Sequence, residues 1–492
     1  MGKLGNFSFF VRNKYILINC ALVILLAADL GFSYYQYSQS YIDGDFAKIV
    51  LGYGDYGKVL HDPLGWAALN GETYPGTNRF TAHAVMAGYF RTLPFILQTF
   101  LSPLESLYTS FAITKLLVHI ALVFLLSYYA SRWSGFQWKS FFISAIVISP
   151  FFHAGVTFYK YLTLIDDSIT YTMFYALPMV FVLLFLLPFY KYYLTGKISH
   201  NPWFVGFWAI FIFFLALFGP LSSPIILLFS FIALAFLTTK HFFQMEGADP
   251  FFRFLRAIKK IDLVVSLLLG WGLVVSLYSF YIGLKNSENQ WSPKSLEERF
   301  TLLIQGLKEA FLNPDNGWYY LGIATGINIL LLFIFYRKKQ RLYFKLIFFL
   351  IIFAILYLGL LPFGGYRSYR PLIVKHDTLA PILLLVLFIW SSSIILFLGY
   401  LKKFNKLAYI ILLLPILFFY TINDNKMKQN NDCEKATLLK LASSTEDCVI
   451  LPRKCAVTSW WYITQCEKVE ASSTLLVYYN IFPRKILYKM ED

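Results

Sequence analysis

The chain has 492 residues, of which 58% are hydrophobic, 20% aromatic and only 14% charged, with a formal net charge of +16 and a mean hydropathy of +0.59. Soluble domains carry roughly 25% charged residues, so this composition excludes an ordinary soluble globule. Nor does the positive balance call for a nucleic-acid partner, because it is what results when Lys and Arg collect in the cytoplasmic loops of a membrane protein.

Runs of about 18 or more apolar residues each read as a transmembrane helix. Eleven are expected, at about 14–35, 107–130, 140–159, 171–190, 203–220, 222–239, 263–283, 318–336, 343–362, 379–400 and 406–422. The first is too long and too late for a cleavable signal peptide, so it reads as a retained helix. With the N-terminus inside, the inner segments hold Arg132, Lys139, Lys191, Lys240, Lys260, Arg337 and Lys402 among many cations, against the acids Glu246, Asp249 and Asp262. The outer segments hold Asp43, Asp45, Asp55, Asp62, Glu72, Glu105, Asp166 and Asp167. The alternation orients the chain with a cytoplasmic N-terminus and an outer C-terminus. Either side of Gly219-Pro220-Leu221-Ser222 the two spans also read as a re-entrant hairpin.

The first outer loop, 36–106, opens with "YIDGDFAKIV" and includes "HAVMAGYFRTLPFILQTFL". Its apolar residues recur at helical spacing with sparse charge, as in helices lying in the membrane interface; packing against the protein's own bundle is the alternative. Asp43 and Asp45, just beyond the first span, are carboxylates that such a roof would half shield and tune to accept a proton from a hydroxyl. Their spacing also matches the metal-binding pair of soluble nucleotide-sugar transferases, although those act in the cytoplasm, and a plain solvated loop explains them too. Arg79 and His83 are further cavity candidates. Asp166 and Asp167 bound the second outer loop, where paired acids raise one pKa or attract a cation, unless they simply form a polar turn. Within the spans lie Asp29, Lys115, His119 and His153, and Lys115 and His153 occupy the outer halves nearest the proposed cavity.

Further along, Ser295-Leu296-Glu297-Glu298 reads as a capping box opening an amphipathic helix in the outer loop 284–317. The outer loop 363–378 concentrates Arg367, Arg370, Lys375 and His376, against the charge trend; arginine forks grip phosphate, so an anionic lipid phosphate is the natural partner. The tail, 423–492, is polar, and "CVIL" and "TLLVYY" read as short strands of a small α/β cap. Cys433, Cys448, Cys455 and Cys466 lie in it, an even set that reads as disulfides in an oxidising compartment. Free thiols are the next alternative, and zinc fits least well, because close Cys pairs are lacking.

An inner N-terminus, one span, a long outer loop opening on acids, a multi-span bundle and an outer cap together resemble the GT-C superfamily of membrane glycosyltransferases. The resemblance implies an all-α polytopic integral membrane fold, with residues 1–422 as the membrane module and 423–492 as an extracytoplasmic domain. It implies transfer of a sugar from a polyprenyl-phosphate-linked donor to an acceptor hydroxyl of a glycan, lipid or protein, with inversion. The family's catalytic base falls on Asp45 in "DGDFA", with Asp43 as the next candidate, and its second functional acid on Asp166 or Asp167. "KHDTLAP" (375–381) is similar to the family's basic element before a late span but has Lys375-His376 where Arg-Tyr is usual, which leaves Arg367 and Arg370 to meet the donor phosphate. No cofactor is required; a divalent cation such as Mg or Mn, if used, would fall to Asp45, Asp166 and Asp167. The rival classes are a flippase or transporter of a lipid-linked or anionic glycan, and an O-antigen-type polymerase built on the basic loop. Outer loops free of glycosylation sequons fit a bacterial plasma membrane.

Overall fold

The computed structural model describes residues 2–152, 160–245, 249–288, 294–364, 372–422 and 428–491. It is nearly all-α. Nine helices among the described residues are long and apolar enough to cross a membrane, from Ile16–Tyr37 to Lys403–Thr421. The chain is an integral membrane protein. Two shorter apolar helices, Trp138–Phe152 and Pro202–Ala216, stand where two further spans are expected. The second is followed by a turn at 217–221 and then the full-length Ser222–Phe242.

Cross-helix hydrogen bonds define two opposite ends. At one end His200 pairs with Asp262 at 3.0 Å, the Tyr193 hydroxyl donates to the Leu342 carbonyl at 3.0 Å, and Gln340 donates to the Tyr400 hydroxyl at 2.6 Å. Lys240, Lys260, Arg337 and Arg341 lie at helix termini on this end. At the other end, the Trp318 indole donates to the Tyr161 carbonyl at 2.6 Å and the Tyr420 hydroxyl to the Gly317 carbonyl at 2.5 Å. This second end carries the acidic loops.

The helix His376–Tyr400 is the axis of the bundle: 72% of its apolar window is buried, against 11% for Ile16–Tyr37. In hydrocarbon, close helix approach depends on small side chains and a few interhelical hydrogen bonds. Ser391, Ser392 and Ser393 supply both. Ser144 donates to Ser391 at 3.0 Å, the Tyr343 and Ser392 hydroxyls meet at 2.8 Å, and the Trp390 indole donates to the Val147 carbonyl at 3.0 Å.

The first loop folds into five short helices, Phe46–Leu51, Tyr56–His61, Trp66–Leu69, Phe80–Phe90 and Leu93–Leu97. "FAKIV" does not lie in the interface. Phe46, Ala47, Ile49 and Val50 are buried, because Phe46 meets Phe90 at 5.1 Å and Phe111 of the Pro103–Ser131 helix at 4.9 Å. The most exposed apolar side chains of the loop come later, at Trp66, Ile96 and Phe100. The capping box at Ser295 is present with both reciprocal bonds: the Ser295 amide donates to Glu298 at 2.8 Å and the Glu298 amide to the Ser295 hydroxyl at 3.2 Å.

In the C-terminal segment, Cys448–Leu451 is a strand pairing in parallel with Leu487–Met490. "TLLVYY" is instead the end of the helix Glu470–Tyr478 and the residue after it. Ala471, Ser472, Leu475, Leu476 and, just past the helix, Tyr479 are buried at helical spacing, with Ser473 buried beside them, and this tertiary contact outweighs the β-preference of Val and Tyr. Cys433 is bonded to Cys455 and Cys448 to Cys466, with Cα separations of 6.1 and 6.3 Å.

Phe111 links the first loop to the bundle through both Phe46 and Phe90. Phe111→Ala is expected to cost about 3–5 kcal/mol, lowering the melting temperature in detergent and accelerating tryptic cleavage of the first loop at Arg91.

Candidate functional site

Four segments distant in the chain meet at the acidic end of the bundle. They are the "YIDGD" turn at 41–45, the N-terminal half of the Pro103–Ser131 helix, the loop 160–168 with the helix that follows it, and the start of His376–Tyr400.

Asp43 is fully buried. One carboxylate oxygen accepts from the amides of Asp45 and Phe46 at 3.1 and 3.0 Å and from the Thr170 hydroxyl at 2.8 Å. The other accepts from the Ser168 hydroxyl at 2.7 Å and the Thr170 amide at 3.0 Å. Burial raises its pKa, and these donors oppose that rise. An acceptor engaged by five donors is a fastener, because a reacting proton would have to displace one of them. Asp45 follows at the start of the helix Phe46–Leu51, half-buried, and its carboxylate does not cap that helix.

Asp166 and Asp167 diverge. Asp166 accepts from the Ser168 amide at 2.7 Å with one oxygen and meets His376 Nε2 at 2.7 Å with the other. Asp167, half-buried, accepts no hydrogen bond on its carboxylate among the described residues. Its pKa is pushed up to about 7, first by burial and then by the neighbouring Asp166, against the pull of Lys115 and His376. Lys115 is fully buried and donates to the Ser40 hydroxyl at 2.5 Å and the Asp167 carbonyl at 2.6 Å. The helix beneath this loop carries a π-helical stretch, Thr172–Ala176, a feature frequent at functional sites. Tyr171 and Tyr175 stack at its start, and Tyr171 lies 6.1 Å from the His376 ring.

The C-terminal segment closes one side. Glu434, fully buried, accepts from the amides of Ile42 and Thr458 at 3.1 and 2.8 Å and from the Tyr108 hydroxyl at 2.7 Å. Burial, with Asp43 nearby, raises its pKa to about 7 against those donors. Asn431 donates to the Ser40 carbonyl at 2.6 Å. Trp460 packs edge-on against Tyr41 and Tyr171 at 6.2 and 5.4 Å. A Cβ at Gly44 would lie 3.0 Å from the Trp460 ring, so the glycine between the two acids admits the indole. The Tyr41 pKa is raised by burial and then by the charges of Asp166, Asp167, Asp43 and Glu434.

Below the site a polar chain runs into the bundle. The Tyr37 hydroxyl meets His119 Nδ1 at 3.0 Å, His119 Nε2 meets the Ser149 hydroxyl at 3.1 Å, and Ser149 donates to Asp29.

The structure therefore brings together Asp43, Lys115, Asp166, Asp167 and His376, from the first loop, the Pro103–Ser131 helix, the loop 160–168 and the late helix, and Asp45 follows Asp43 by two residues. Lys375 borders the same helix start, its amide donating to the Thr378 hydroxyl at 2.9 Å. Arg79 and His83 go elsewhere. Arg79 meets Glu288 at 3.6 Å, and His83, buried against Phe174, has its pKa lowered by burial to about 4, so it is a neutral packing residue. His153, Arg367 and Arg370 lie outside the described residues. Glu434, Tyr41 and Trp460 escaped the sequence reading, although the aromatic run at 460–462 in an outer segment was a signal for the last. Asp43 and Asp166 are engaged by other partners, and among the described residues no group of three or more His, Cys, Asp or Glu is arranged to hold an ion.

Asp167 and Glu434 both have folded pKa values raised to about 7. A carboxyl that holds its proton more tightly when folded contributes stability at low pH that is lost as pH rises through the folded value. The melting temperature is therefore expected to fall between pH 5 and pH 8, and Glu434→Gln, a permanently neutral side chain, is expected to flatten that slope in a thermal scan across pH.

No protein-family model matches the chain, and no curated protein matches it.

Proposed function

We propose that the protein is an inverting membrane glycosyltransferase of GT-C type, taking a sugar from a polyprenyl-phosphate-linked donor. The observation that carries this reading is the convergence of acids from the first and second outer loops with Lys115 and His376 beside half-buried aromatic rings. Tyr41, Tyr171, Tyr175 and Trp460 offer the flat faces on which sugar rings stack. The acids supply a base, and the lysine and histidine supply positive charge.

In this mechanism the acceptor hydroxyl oxygen attacks the anomeric carbon from the face opposite the lipid phosphate. The bond between that carbon and the phosphate oxygen breaks, and its electron pair leaves with the phosphate. The hydroxyl proton passes to Asp45, with inversion as the outcome of a single displacement. Asp167, whose pKa near 7 suits proton exchange at neutral pH, is the second working carboxylate. Asp43 and Asp166 position the two loops. Arg367 and Arg370 are assigned on sequence grounds to the departing phosphate, where a fork of N–H donors stabilises developing charge. The membrane is a bacterial plasma membrane, with this site facing outward. No metal step is part of the mechanism.

A flippase reading draws on the intramembrane chain from Tyr37 to Asp29 and on a cavity nearer the basic end. It predicts lipid movement that is indifferent to Asp45.

The test is sugar transfer from a labelled polyprenyl-phosphate donor in proteoliposomes. Asp45→Asn is expected to abolish transfer with the melting temperature kept, and Asp43→Asn to lower the melting temperature by several degrees. In the wild type the rate is expected to rise through pH 7, and Asp167→Asn to remove that rise. Full turnover by Asp45→Asn ends the base assignment, and scrambling of the labelled lipid without transfer supports the flippase.

A further inference from the structure

A cavity of about 1260 Å³ lies among seven helices and opens at the basic end of the bundle, its lining reaching Pro381 on the helix that begins at His376. Its walls include Leu183, Phe229, Phe236, Phe349, Leu384 and Phe388, and its floor lies at Met179 and Pro381. Small-molecule pockets occupy about 300–1,000 Å³, so this one is large for a compact ligand. From Met179 to Gly196 the wall runs about 25 Å at 1.5 Å per residue, well over half of the roughly 30 Å hydrocarbon thickness.

The bore is dry in its chemistry. Tyr129, Tyr190 and Tyr193 line it, yet each turns its hydroxyl to a backbone carbonyl, of Leu183, Tyr129 and Leu342 respectively. The mouth is the opposite. Lys240, Lys260, Arg337, Lys338, Arg341 and Lys345 border it, and no carboxylate lines the cavity among the described residues. Asp262, close in sequence to Lys260, already accepts from the Val264 amide at 2.9 Å and pairs with His200 at 3.0 Å.

A general excess of inner cations accounts for basic loops, but not for cations from four helix ends gathered around one greasy bore. Carbon walls with a cationic rim match an acyl chain under a phosphate. A donor held at the acid cluster would leave the rim idle, since its phosphate would lie beyond the floor. We propose that this groove binds an anionic glycerophospholipid from the leaflet at the basic end, with its headgroup on the Lys240–Arg337–Arg341 rim and a chain in the bore. The proposal stands whether or not the acid cluster transfers a sugar.

The experiment is native mass spectrometry of the full chain in a mild non-ionic detergent, titrated with phosphatidylglycerol, phosphatidylcholine or inorganic phosphate. One phosphatidylglycerol is expected to bind at a concentration at least about tenfold below that needed for phosphatidylcholine. The exposed-site variant Arg337→Gln/Arg341→Gln/Lys345→Gln is expected to lose that preference. Ala233→Trp, which narrows the bore and keeps every cation, is expected to reduce binding of both lipids. Equal uptake of the two lipids, a charge variant that retains the preference, or displacement of phosphatidylglycerol by inorganic phosphate would overturn the proposal.

Discussion

The acidic end is organised around one buried carboxylate. Removing Asp43 from water costs several kcal/mol, and only donors aimed at both oxygens offset that. Hydrogen bonds to a charged group contribute about 1.5–3 kcal/mol each, and Asp43 accepts five, two from its own turn and three from Ser168 and Thr170. The first loop and the second outer loop are thereby held as one surface. Asp45 on one side and Asp166 and Asp167 on the other take their places from this fastening.

A second buried acid repeats the arrangement from outside the bundle. Glu434 reaches the amide of Ile42, one residue before Asp43, and the Tyr108 hydroxyl on the second long helix. The bond between Cys433 and Cys455 ties its helix to the turn carrying Val457 and Thr458, and Trp460 follows onto Tyr41 and Tyr171. The C-terminal segment is a wall of this cluster, so its docking and the geometry of the acids are coupled. Burial raises the pKa of both Asp167 and Glu434 to about 7, so that coupling is expected to depend on pH.

The membrane module divides its polar chemistry by depth. At one end, acids and aromatic rings form one cluster. In the middle, Asp29, Ser149, His119 and Tyr37 satisfy one another, as buried polar groups in hydrocarbon must. At the other end, cations rim an apolar bore. The central helix His376–Tyr400 spans all three zones, placing His376 against Asp166 and Pro381 at the floor of the bore.

Hydropathy and charge by themselves determined the membrane class, the order of the apolar helices and the capping box at Ser295, because each is written in neighbouring residues and in the solvent they prefer. They also marked Asp43, Asp45, Asp166, Asp167 and His376 as candidates. Only the tertiary structure gave them different surroundings. Asp43 looks like Asp45 in sequence, yet its partners Ser168 and Thr170 lie 125 and 127 positions away, and those donors turn one acid into a fastener. Glu434 acts on Ile42 across 392 positions, and the rim of the bore draws on four helix ends. Such encounters depend on how helices pack, which local periodicity does not encode. A carboxylate's work follows from which donors reach it and how much water remains, and both are properties of the assembled bundle.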